Sequence, residues 1–241
     1  MTAETATETE ALRARLKGLR RRINEAAGRA GRDPAEVTLV AVSKTHPAAL
    51  VRQAAAAGAQ DFGENRVQEA EAKIEEVAAA GPRPRWHLIG HLQSNKARRA
   101  VKLFDLIHTV DSAELVNRLE RLSVEESRPR LDVLVQIDLA GEATKSGARP
   151  AELPEIAAAL GLCQRVRCAG LMTLPPFFEE VERVRPYFRR LRELRDEWRA
   201  RGLFGEGFGQ LSMGMSHDFE TAVEEGATLV RVGTALFGER G

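Results

Sequence analysis

Eight short runs rich in apolar and β-branched residues recur along the chain, and helical spacing separates them. The runs cover residues 37–43 (VTLVAVS), 59–64, 85–90, 106–110 (LIHTV), 131–139, 165–174, 208–214 and 228–237. Several are near-continuous in apolar character rather than alternating, the pattern of parallel strands covered by helices. Helical spacing marks 47–58, 66–81, 112–126 and 178–202. Asp111, followed three residues later by Glu114, reads as the start of the third of these helices. Ahead of the first run, Leu12, Leu16, Leu19 and Ile23 share one helical face that ends near Gly28 to Gly31. Repeated strand-then-helix units predict an α/β fold: a single-domain (β/α)8 TIM barrel over residues 8–241 with an extra N-terminal helix, preceded by a disordered tail at 1–7. A doubly wound open sheet is the competing architecture, but the first run leads into SKTHP rather than a Gly-rich loop.

Composition changes this picture little. The 241 residues suit one barrel, and 43% apolar with 29% charged residues is an ordinary globular balance. Lys plus Arg is 36 against 35 Asp plus Glu, a net charge of +1, so no global field argues for nucleic acid or a membrane surface as partner. Basic clusters such as LRRRI at 19–23 read as solvated helix faces. The acidic start MTAETATETE has no apolar core of a signal peptide, and a cytoplasmic location is expected. Cys163, expected to end a helix, and Cys168, expected to enter a strand, fit no zinc or disulfide pattern and read as packing residues. His87 and His91 are four apart, but on a strand running into a Gly90 turn that spacing does not converge, so no metal site is expected.

In a TIM barrel the chemistry gathers at the C-terminal ends of the strands. The first run ends at Lys44 and the second at Gly63 to Asn65. The third contains His87, the seventh ends in SMGMS at 212–216, and the eighth carries Arg231 followed by Gly233 and Thr234. Loops after the seventh and eighth strands of such barrels often hold a phosphate. Ser216, the helix start near His217 to Asp218, Gly233 and Thr234 fit that demand, since small residues and helix N–H groups admit an anion. Lys44 reads either as a strand-end lysine reaching solvent or as a nucleophile. An ordinary lysine pKa is about 10.4, and desolvation with nearby positive charge, which Arg231 would supply, lowers it. A phosphate ligand carrying an aldehyde would use Lys44 and the phosphate loops together, and pyridoxal 5'-phosphate (PLP) is the obvious candidate.

The ordered motifs AVSKT with Lys44, FGEN with VQEA (62–70), WHLIGHLQSNK (86–96), KSG (145–147), GLMT (170–173), LSMGMSHDFETAVEEGAT (211–228) and VRVGTALFG (230–238) resemble the YggS/PROSC group, the pyridoxal phosphate homeostasis proteins, whose barrel is similar to that of alanine racemase. The resemblance covers the chain from about residue 10. It implies PLP as cofactor, held as a Schiff base on Lys44. It further implies Arg231 facing the pyridine nitrogen, Ser216, Gly233 and Thr234 on the phosphate, and Asn65, His87 and Met213 near the cofactor. The chain departs from the family pattern at Arg66, where an aromatic is frequent, and at His46, where Lys is common.

An arginine at the pyridine nitrogen only donates, so it cannot hold a proton there, and the ring is a poorer electron sink. In alanine racemase the second catalytic base is a tyrosine from a further domain. No such domain is expected here, and the one tyrosine, Tyr187, reads as a packing residue. The sequence reading is therefore a non-catalytic, monomeric PLP carrier of vitamin B6 homeostasis, with PLP-dependent apoenzymes as possible recipients and Lys145 as a candidate for transfer or a second site. Two rivals stand beside it: a residual amino-acid racemase using His87 or His217 as second base, and a cofactor-free Schiff-base aldolase using Lys44.

Overall fold

A computed structural model describes residues 3–81, 83–141, 146–205 and 207–238. Eight parallel strands close into one barrel in sequence order: β1 (Thr38–Val42), β2 (Asp61–Glu64), β3 (Arg85–Leu88), β4 (Leu106–Val110), β5 (Leu131–Ile137), β6 (Val166–Thr173), β7 (Gln210–Met215) and β8 (Leu229–Val232), with β8 returning to pair β1. The expected TIM barrel is therefore present. The helices are α1 (Ala3–Arg29) before the barrel, then α2 (Ala48–Ala56), α3 (Val67–Ala79), α4 (Ala97–Leu103), α5 (Ala113–Glu125), α6 (Leu153–Gly161), α7 (Arg185–Ala200), α8 (Phe219–Glu224) and α9 (Thr234–Phe237), one after each strand.

Two layers of apolar side chains hold this arrangement. The larger lies between sheet and helices and includes Ala41, Phe62, Trp86, Ile107, Leu171 and Leu211. A smaller cluster of Val40, Leu106, Leu134, Ala169, Met172 and Leu229 fills the barrel interior. The strands alternate between the two, as the pleat requires. On α1, Leu12, Leu16, Leu19 and Ile23 are all buried, each contributing about 1.5–3 kcal/mol. This helix packs against α2, α8 and α9. With only four residues in α9, α1 supplies the cover that the β8–β1 seam otherwise lacks. Arg22 to Glu220 and Arg29 to Glu224 pin α1 to α8.

The elements depart from the sequence reading at three places. Helix α1 begins at Ala3, inside the stretch read as a tail, because its Ala- and Glu-rich residues are good helix formers. The cap of α5 is Ser112, not Asp111: its hydroxyl accepts from Leu115 N–H. The apolar run 228–237 is not one strand, since β8 stops at Val232 and α9 starts at Thr234. Cys163 lies just past the end of α6, and Cys168 is inside β6. Burial pushes both thiols up to about 12, which suits packing residues and not nucleophiles.

Candidate functional site

The C-terminal rim is assembled around the end of β1. Val40 faces the barrel interior, and Lys44 follows β1 by two residues, in the turn at the barrel mouth. Lys44 is half-buried. The turn that carries it is held on both flanks. Ser43 N–H donates to Gly63 O (3.0 Å) and His46 N–H to Ser43 O (3.1 Å). Thr45 sits at φ 68°, a left-handed backbone that a β-branched residue adopts only under constraint. Its N–H donates to Glu69 Oε1 at 2.5 Å. The His46 ring lies 4.8 Å from that of Phe237, tying this turn to α9.

Behind the turn, on the helix-facing side, is a buried ion pair. Lys73 Nζ donates to Glu64 Oε1 (2.6 Å) and to Ser43 O (2.7 Å), and Ser43 Oγ donates to the same Glu64 oxygen (2.6 Å). Glu64 is fully buried, and its Oε2 has no hydrogen-bond partner among the described residues. Burial raises the Glu64 carboxyl above the ordinary range, against the opposing pull of Lys73 and Ser43.

The phosphate candidates converge. Gly233, beside Val42 across the β8–β1 seam, and Ala235 both donate N–H bonds to Ser216 Oγ (3.2 and 3.4 Å). Thr234 is exposed as the first residue of α9. The helix start that meets Ser216 is thus α9 and not the one near His217. There, Asp218 occupies the cap, and its buried carboxylate accepts Met215 N–H at 2.6 Å. Burial raises Asp218 as well. Gly214 has φ 88° and a side chain would lie 2.5 Å from Ala222 Cβ, so only glycine lets β7 turn this close to α8.

Asn65 follows β2 at the mouth. A side chain at Gly90 would lie 2.2 Å from Asn65 O, so that glycine lets the two strand ends pass. Asn65 also borders a polar cavity of about 700 Å³ lined by Arg66, Glu69, His91, Gln93 and Lys96. Met213 goes the other way. It packs fully buried in the helix-facing layer with Leu211, while its neighbour Ser212 points inward. Lys145 lies outside the described residues.

Arg231 enters the barrel interior, 3% exposed. Nη2 donates to Thr173 O (3.0 Å) and Nη1 to Ser212 Oγ (2.6 Å). From Ser212 a chain of contacts crosses the core. Ser212 Oγ lies 2.8 Å from His108 Nδ1, His108 Nε2 lies 2.9 Å from His87 Nδ1, and His87 Nε2 lies 3.0 Å from Asp61 Oδ1. Arg85 closes the far end on Asp61 at 2.8 Å. Burial lowers Arg231 to about 10, with Asp218 pulling the other way, so it stays cationic at neutral pH. Burial pushes the Asp61 carboxyl up, but hydrogen bonds from His87 and Arg85 outweigh it and hold Asp61 below the usual range. His87 is thus not an open mouth residue but the middle of a buried array. Asp61, His108, Ser212, Glu64 and Lys73 had not been singled out as site residues. The only sequence signal was a polar residue inside an apolar run, as in LIHTV.

Burial first, then the neighbouring His87 and Arg231, hold His108 well below its ordinary value of 6.5. The folded chain therefore refuses a proton that the unfolded chain accepts below that pH. Stability contributed here is complete above about 6.5 and is lost as the pH falls. His108→Gln should reduce the stability lost between pH 7 and 5.5 by about 1 kcal/mol, read by urea unfolding at both values. An unchanged pH dependence would show that residue 108 does not titrate on unfolding.

Residues 14–241 match the family model described as alanine racemase, N-terminal domain. The pyridoxal phosphate homeostasis protein of Aquifex aeolicus is 43% identical over 226 residues (94% of this chain, 97% of that protein). The protein of the same name from Pseudomonas aeruginosa is 47% identical over 219 residues (91% of each). Among solved structures, PipY of Synechococcus elongatus with PLP bound superposes with a TM-score of 0.83 at 42% identity, covering 94% of this chain and 100% of that one. Alanine racemase of Corynebacterium glutamicum, at 20% identity and a TM-score of 0.69, shares the fold, with 96% of this chain and 62% of that one covered. With its closed barrel, its lysine at the end of β1 and its serine and glycine after β7 and β8, this chain belongs to the alanine racemase N-terminal domain family, in the group of the pyridoxal phosphate homeostasis proteins.

Proposed function

We propose that the protein binds PLP reversibly through Lys44 and serves PLP homeostasis as a carrier, without turning over amino acids. What supports this reading is that β1, which leads into Lys44, pairs with β8, which carries the buried cation Arg231, and that Gly233 after β8 bonds to Ser216 after β7. These residues fit the group. Ser216 with the N–H groups of the α9 start suits a phosphate. Arg231 is a fixed donor suited to a ring nitrogen, and a lysine at the mouth suits the aldehyde. When bound, PLP supplies an aldehyde carbon to which a neutral lysine amine adds with loss of water.

Arg231 donates and cannot accept, so it does not stabilise a protonated ring, which disfavours transamination and decarboxylation but leaves racemisation open. What favours a carrier over a racemase is that a racemase needs a second base opposite Lys44. Both ring nitrogens of His87 are engaged with Asp61 and His108 in the core. His217 is exposed, with Nε2 3.2 Å from Phe178 O. Tyr187 stacks on Phe178, ring centroids 5.8 Å apart. The carrier acts as a monomer in the cytoplasm and passes PLP to apoenzymes. The test is to load the protein with PLP, mix it with a PLP-dependent apoenzyme, and follow activation of that enzyme beside an assay for alanine racemisation. Activation without racemisation supports the carrier. Racemisation at a rate above free PLP makes the protein an enzyme.

The phosphate assignment gives a second expectation. Ser216→Ala should weaken PLP binding about tenfold, the worth of one charge-assisted hydrogen bond, and leave binding of unphosphorylated pyridoxal unchanged. Equal weakening for both ligands would move Ser216 off the phosphate.

A further inference from the structure

Polar groups inside a barrel are costly unless each is paired, and the array from Arg231 to Asp61 is paired at every step. Its ends fix its direction. Arginine only donates, and Asp61, held as a carboxylate by Arg85, only accepts. Arg231 Nη1–H takes one lone pair of Ser212 Oγ, and the acceptor that the described residues offer the hydroxyl proton is His108 Nδ1, so the proton is placed there. His108 must then carry its proton on Nε2 and donate to His87 Nδ1. His87 likewise carries its proton on Nε2 and donates to Asp61 Oδ1. In this arrangement both rings carry a proton on Nε2, and all four hydrogen bonds point the same way. Reversal needs an added proton. With its proton on Nδ1, His108 would make His87 donate through both nitrogens and become cationic.

We propose that Ser212, His108 and His87 are positioning residues of the cofactor site: anchored on Asp61 at the opposite end of the barrel, they hold Arg231 as a rigid donor aimed at the ring nitrogen of PLP. This rests on the reading of Lys44 and Arg231 as PLP ligands. Hydrogen bonds aligned head to tail polarise one another. The remote carboxylate therefore makes Ser212 a stronger acceptor, and the guanidinium loses its freedom to turn. The far end is open to change from outside. Asp61 and Arg85 border a cavity of about 490 Å³ at the N-terminal face, and the Arg85 side chain is 63% exposed.

Ser212→Ala removes the acceptor of Arg231, and Ser212→Thr keeps it. Ser212→Ala should bind PLP about tenfold more weakly and shift the visible absorption maximum of the bound cofactor, while borohydride still traps PLP on Lys44. Ser212→Thr should restore affinity and maximum together. A Ser212→Ala protein that loses thermal stability but keeps both would overturn the relay, leaving only a structural network. Histidine ¹⁵N NMR of the cofactor-free wild type adds a reading that needs neither variant. At pH 7 both His87 and His108 should be neutral Nε2–H, and an Nδ1–H or cationic form of either overturns the direction assigned. A wild type with no visible band on adding PLP overturns the cofactor reading itself, which the variants cannot do.

Discussion

Lys73→Met should destabilise the protein by about 3–5 kcal/mol, the loss expected when one partner of a buried ion pair is removed and the other is left charged or forced to protonate. Lys73 has a 5% exposed side chain and Glu64 a fully buried one. The lysine is also the donor to Ser43 O, directly behind the Lys44 turn. Thermal unfolding should drop by roughly 10 °C, given about 2–4 °C per kcal/mol for a chain of this size. Replacing both partners with apolar residues, Lys73→Met with Glu64→Leu, should recover most of the loss, because well-packed apolar replacements of a buried pair are often neutral. A single variant that loses less than about 1 kcal/mol would mean that water reaches Glu64, and that the pair does not brace the turn.

Lys44→Ala should lose the visible band of bound PLP altogether and weaken PLP binding about 100-fold or more, equivalent to about 3 kcal/mol. What remains would be the phosphate hold of Ser216 and the α9 start. The half-buried position of Lys44 at the rim means that the cofactor-free variant should unfold within about 0.5 kcal/mol of wild type. Titration of the band, paired with urea unfolding of the cofactor-free proteins, checks both. An undiminished band in the variant would place the cofactor elsewhere.

The barrel was legible because parallel strands covered by helices have to be apolar along their length, and each of the eight runs coincides with one of the strands seen to within a few residues at its ends. The positions of Lys44, Ser216, Gly233 and Arg231 at or beside strand ends were legible too, which is where a TIM barrel gathers its chemistry. Boundaries failed where local competition decides. Ser112 caps α5 one residue after Asp111, and the last apolar run breaks at Gly233 into strand and helix. The side on which Met213 lies is a matter of parity: a residue next to an inward-pointing serine must face the helices. The buried polar array was out of reach for another reason. Asp61, His87, His108, Ser212 and Arg231 come from β2, β3, β4, β7 and β8, and nothing in one strand tells its polar residue which partner waits across the barrel. Lys73 was hidden likewise, because one lysine on a helix looks like any solvated one until Glu64 is seen beside it.

The central claim is that Lys44 holds PLP, and its most direct test is chemical trapping. Wild-type protein mixed with PLP is reduced with borohydride, digested with trypsin and mapped by mass spectrometry. A single pyridoxyl phosphate should sit on Lys44, blocking cleavage there and leaving residues 33–52 as one labelled peptide. A label confined to another lysine, or no label beyond that of the denatured protein, would contradict the account.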